Sequence, residues 1–97
     1  MSPLKRKKLN KIRSRLDKLD NLLIKVIKKR TNLVKKVLDL KEKKSQIIDQ
    51  KRIKIILKNI RRKSLKNNID PKITHKIWKN MILAYIDFEK RNFKKKK

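Results

Sequence analysis

LNKIRSRLDKLDNLLIKVIKKRTNLVKKVLDL, residues 9–40, is the stretch on which the fold turns. Apolar residues recur in it at alternating steps of three and four: Leu9, Ile12, Leu16, Leu19, Leu23, Val26, then Leu33, Val37 and Leu40. That period predicts one long amphipathic helix whose stripe faces other helices. Neither Pro nor Gly interrupts the pattern, so the helix is expected from about Lys7 to Lys43, where a lysine-rich turn suits the negative end of the helix dipole. At 1.5 Å per residue it would be about 55 Å long, more than the core of so short a chain can cover, and its stripe is expected to meet a second copy. One slot of the register holds Arg30. A guanidinium on a buried stripe costs several kcal/mol unless it is paired. No acid falls on the same stripe, which makes an anionic ligand the expected partner.

Two shorter helices follow. Glu42 to Ile48 reads as a connection, and Asp49 is placed to cap a second helix carrying Ile53, Ile56, Leu57 and Ile60 on one face. Asn67 and Asn68 close it. Asp70 followed by Pro71 is the clearest boundary, an N-cap acid with proline at the first helical position. The third helix is expected to run through Ile73, Ile77, Met81, Ala84 and Phe88 and to fray into the Lys94–Lys97 tail. The reading is an all-α chain forming one domain over 1–97, with its core at about 9–93 and basic tails at 1–8 and 94–97.

Composition removes whole classes of chemistry. The 97 residues include no cysteine and no glycine, which excludes disulfide scaffolds, thiol nucleophiles, zinc knuckles and glycine-rich phosphate loops. No apolar run approaches a membrane span and the basic amino terminus is not followed by a signal-peptide core, so a cytoplasmic setting is expected. The net charge of +26 would ordinarily mark a nucleic-acid footprint. Yet Lys, Ile and Asn, all with A/T-rich codons, make up about half of the chain, while alanine occurs once, at Ala84. Genome composition and a polyanionic partner thus compete as causes, and charge alone does not separate them.

Arg13, Leu19-Asp20, Arg30, Lys41, Asp49-x-x-Arg52 and a third helix ending in Tyr85 and Glu89, in that order, resemble the all-helical class of chorismate mutase. The resemblance covers about Arg13 to Glu89, and the spacings from Arg13 through Lys41 match the family pattern without a gap. It implies an intertwined homodimer of three-helix protomers, a six-helix bundle with two equivalent active sites. It also implies rearrangement of chorismate to prephenate in phenylalanine and tyrosine biosynthesis, without metal or cofactor. By the same resemblance Arg30, and Arg13 from the partner chain, hold the substrate carboxylates with Arg52 assisting. Lys41 and Glu89 face the ether oxygen, Asp49 takes the ring hydroxyl, and Tyr85 lines the site. Association with another enzyme of the shikimate pathway is a further implication.

Helix geometry agrees with those roles. Arg30 and Lys41 are eleven residues apart, three turns, which puts them on one face about 16 Å apart along the axis. Arg13 is about 25 Å before Arg30, too far to touch the same small ligand, so a functional Arg13 must serve another protomer's site. A pericyclic rearrangement needs a compact substrate conformation and stabilised charge on the breaking ether oxygen, for which positioned cations and donors suffice. Three departures from the family pattern stand out. Ile53 occupies a position often held by glutamate, and with Tyr85 it is similar to the related isochorismate pyruvate lyases, making lyase activity the alternative. The connection from Lys41 to Asp49 is one residue short of the usual spacing. Glu89 stands where many members have glutamine, and a carboxyl donates to the ether oxygen only when protonated.

Each residue also has a plain structural role to weigh. Arg30 can snorkel to water, and Lys41, Arg13 and Arg52 can belong to solvated faces. Asp49 serves as a helix cap, Asp20 pairs on the surface, and Tyr85 and Trp78 fill the core or an interface. His75 has no constellation around it. The rival from another class is a nucleic-acid-binding module using Lys5–Lys8, Arg61-Arg62-Lys63 and the carboxy-terminal lysines. It lacks stacking aromatics and a recognition helix, and phosphate binding gives no reason for an arginine inside a leucine register. A plain coiled-coil assembly protein explains the heptads but not Arg30.

Overall fold

The computed structural model describes residues 1–94. Three α-helices are present, α1 (Pro3–Leu40), α2 (Gln50–Lys66) and α3 (Pro71–Asn92), with one 3₁₀ turn at Lys44–Gln46 between the first two. No strand occurs among the described residues. Of the carboxy-terminal tail only Lys94 is described; 95–97 lie outside the described residues. The chain divides into two compact units, Met1–Leu33 and Val34–Lys97.

Within the first unit the only regular element is α1. It begins four residues earlier than its heptads suggest, because Ser2 and Pro3 form a cap: the Ser2 hydroxyl accepts from the Lys5 N–H at 3.2 Å, and the Ser2 carbonyl from the Arg6 N–H at 2.9 Å. Proline at the first helical position gives up only an N–H that no helical carbonyl would have accepted. Ile12, Leu16, Leu19, Leu23, Val26 and Leu33 remain more than half exposed, whereas Leu9 is half-buried. The helix with the longest apolar stripe therefore leaves most of that stripe uncovered. Full burial would stabilise each of those large side chains by about 1.5–3 kcal/mol.

The second unit holds the end of α1, the connection and the α2–α3 hairpin. The helix stops at Leu40, not Lys43, and the Lys41 N–H turns back to the Leu38 carbonyl at 3.1 Å. Asp49 caps α2 as expected, its carboxylate accepting from the Arg52 N–H at 3.0 Å, and Asp70 caps α3 through the Lys72 N–H at 2.9 Å. The reversal between α2 and α3 is a Schellman motif. Ile69 N–H reaches the Ser64 carbonyl at 2.8 Å and Asn68 N–H the Leu65 carbonyl at 3.3 Å. Asn68 supplies the left-handed residue at φ 56° in a chain that has no glycine to use there.

On α2 the half-buried positions include Ile53, Ile56, Leu57 and Ile60, the face read from sequence. On α3 the expected stripe is displaced. Ile73, Ile77 and Ala84 are exposed, and the covered positions are Thr74, Trp78, Met81, Ile82, Tyr85, Ile86, Phe88 and Glu89. A hydroxyl pair is one reason. Ser64, 3% exposed, lies 2.6 Å from the Thr74 hydroxyl and donates to the Ile60 carbonyl at 2.6 Å, so a polar contact draws Thr74 inward where the apolar pattern favoured Ile73.

Ser64→Ala should lower the thermal midpoint by about 5–10 °C, since it removes a buried hydroxyl bonded to both the Ile60 carbonyl and the Thr74 hydroxyl. Asn80→Ala, which loses an exposed bond to the Lys76 carbonyl, should move it by no more than about 2 °C. Equal shifts in the two variants would show that the hydroxyl pair does not hold the hairpin.

Candidate active site

Lys41 lies one residue beyond α1, and Glu89 lies in the last turns of α3. The Lys41 ammonium is 3.3 Å from both carboxylate oxygens of Glu89 and 3.5 Å from the Ile47 carbonyl oxygen. The side chains are 19% and 9% exposed, which makes this a sheltered pair joining residues 48 apart. A carboxylate so far removed from water is tolerated because the ammonium faces both of its oxygens. By contrast Arg91 and Asp87, 2.8 Å apart one turn along α3, are 65% and 69% exposed and form an ordinary surface pair.

The other expected residues are distributed as follows. Tyr85 precedes Glu89 by one turn on the same face of α3 and is half-buried. Asp49 and Arg52 are exposed at the start of α2, and the Asp49 carboxylate is engaged with the Arg52 backbone. The structure thus brings Lys41 and Glu89 into contact but not Asp49 or Arg52 with either. Ile53, next to Arg52, is half-buried. Arg13 and Arg30 belong to the first unit: Arg13 is exposed, and Arg30 is half-buried with its Nε shielded from solvent.

Sequence reasoning placed a connection at Glu42 to Ile48 but missed the turn inside it that follows Lys41. Gln46 accepts two backbone hydrogen bonds through its side-chain oxygen, from Glu42 N–H at 2.8 Å and Lys43 N–H at 2.9 Å. A glutamine three residues into a turn is a known capping signal when Ser or Thr leads it, but Lys43 leads here, so the usual signature is absent.

Two further cavities lie along the α2–α3 hairpin, of about 530 Å³ around Leu57, Arg61 and His75 and about 340 Å³ around Ile53, Ile82 and Ile86. Apart from Ile53 they hold none of the residues singled out by the resemblance. No cluster of three or more His, Cys, Asp or Glu among the described residues could hold a metal ion. Nor is any described helix long and apolar enough to cross a membrane.

The chorismate mutase type II family model matches residues 12–90 and so spans every position from Arg13 to Glu89. The chain belongs to that family. A chorismate mutase of Methanocaldococcus jannaschii is 36% identical over 76 residues, 77% of each chain. No solved structure matches significantly. For a chorismate mutase type II chain, the Lys41–Glu89 pair is the part of the candidate site whose geometry the fold itself makes.

Lys41→Ala should destabilise the protein by about 1–3 kcal/mol, because it leaves a sheltered carboxylate without its cation. Arg91→Ala should cost no more than about 0.5 kcal/mol. Urea denaturation of the two variants checks the order, and an Arg91→Ala loss as large as that of Lys41→Ala would contradict it.

Proposed function

We propose that this protein is a chorismate mutase that rearranges chorismate to prephenate by conformational restraint and electrostatic stabilisation. The observation that carries the reading is the sheltered Lys41–Glu89 pair, at 3.3 Å, inside the region matched by the family model. A lysine ammonium is a compact charge with three donors, suited to the charge that develops on the ether oxygen as its bond to carbon breaks. Glu89 faces the same oxygen. Arg30 holds a substrate carboxylate through two parallel N–H donors, which a lysine cannot copy. Arg52 assists, Asp49 takes the ring hydroxyl and Tyr85 lines the site.

The working form is a homodimer in which Arg13 of the partner subunit completes each site. Two things support this. Ten large apolar side chains of α1 stand more than half exposed in the protomer. And Arg13 lies about 25 Å along the helix from Arg30, beyond the reach of one small dicarboxylate. The intertwined arrangement makes a six-helix bundle working in the cytoplasm as a single-domain enzyme. The family match and the named relative favour this reading over lyase chemistry and over nucleic-acid binding.

Purified protein should consume chorismate, followed by its absorbance, and yield prephenate on product analysis. Arg30→Ala should lower kcat/KM about 100-fold or more. Silence of the wild type on chorismate would refute the assignment. If the sites are shared, refolding Arg13→Ala together with Arg30→Ala should recover about a quarter of wild-type activity, because half of the dimers are mixed and each has one intact site. No recovery would rule out sharing.

A further inference from the structure

An ammonium on a flexible four-carbon stem is placed only as well as the backbone that carries it and the acceptors around it. Lys41 is the first residue past α1, where helical hydrogen bonding has ended. Of its two acceptors, Glu89 comes from α3 and the Ile47 carbonyl from the connection six residues on. That carbonyl faces the ammonium only if 42–46 close into a tight turn. Gln46 closes it. Its side-chain oxygen takes the Glu42 and Lys43 N–H groups at 2.8 and 2.9 Å, while its own N–H donates to the Lys43 carbonyl at 3.0 Å. Ile47, whose side chain is anchored at 4% exposure, then donates its N–H to the Lys44 carbonyl at 3.1 Å.

We propose that Gln46 is a positioning residue for Lys41: by gathering the two N–H groups that follow Lys41 onto one oxygen, it fixes the turn that sets the Ile47 carbonyl against the ammonium. Gln46 itself is exposed, and its side-chain oxygen bonds the Glu42 and Lys43 N–H groups rather than Lys41 or Glu89, so it acts through the backbone. The inference rests on the reading of Lys41 as the cation at the ether oxygen. What the arrangement requires of position 46 is a side-chain oxygen at glutamine length. Glutamate meets that requirement, and methionine, of similar length, does not.

Steady-state kinetics on chorismate with Gln46→Met and Gln46→Glu test it. Gln46→Met should lower kcat about tenfold with KM within about twofold of wild type, as expected when an interaction made mainly in the transition state is misplaced. Gln46→Glu should restore kcat to within about twofold of wild type. Wild-type kcat in Gln46→Met overturns the proposal, as does a Gln46→Glu kcat as low as that of Gln46→Met. Circular dichroism accompanies both variants, and loss of helix in Gln46→Met would replace positioning by a purely structural role. Lys41→Ala separates the two failures. Full activity there refutes the reading of Lys41 itself, whereas an inactive Lys41→Ala beside a fully active Gln46→Met refutes only the role of Gln46.

Discussion

A sheltered ion pair between Lys41 and Glu89 ties the residue that ends the first helix to the last turns of the third. Neither group could remain where it is without the other, because a carboxylate at 9% exposure needs a cation or a proton. The connection between α1 and α2 is shaped around this requirement. Its single 3₁₀ turn brings Gln46 back to the N–H groups that follow Lys41 and turns the Ile47 carbonyl toward the ammonium. The ion pair is thus a structural clasp that holds opposite charges together largely away from water.

Much of this was legible in the chain. The 3-4 spacing of α1, Asp49 and Asp70 as caps, Pro71 at the first helical position and Asn67-Asn68 as a stop all act through neighbours within a few residues, and such signals are written locally. Lys41 and Glu89 were singled out by order and spacing within a family pattern, and the fold brings them together across 48 residues. The early start of α1 carried the same Ser/Asp-then-Pro signal, at Ser2-Pro3, but the apolar register had not yet begun there. The displaced face of α3 was not legible, since it follows from a hydroxyl pair, Ser64 with Thr74, that exists only once the hairpin has formed. Gln46 escaped because a lysine stands where a capping residue usually does.

Arg13, Arg30, Asp49 and Arg52 make a contrasting group. All were expected in the site on family grounds, and they are exposed or half-buried, the arginines on helices and Asp49 at the cap of α2. A chain with 34 basic and 8 acidic side chains has few acids with which to pair its arginines. The same excess explains why surface charge says so little here. Where lysine is the commonest residue, information lies in position, in burial and in what each ammonium faces.

The four-residue reversal from Asn67 to Asp70 also bears on the order in which the molecule assembles. Helices form within about a microsecond and a short hairpin of two helices has little loop-closure entropy to overcome, so α2 and α3 can pair early. The clasp closes the longest loop and needs α3 already in place to present Glu89. Loop-closure entropy therefore favours pairing of α2 with α3 before the clasp closes, and on a ribosome the long first helix emerges well before the segment against which its end is secured.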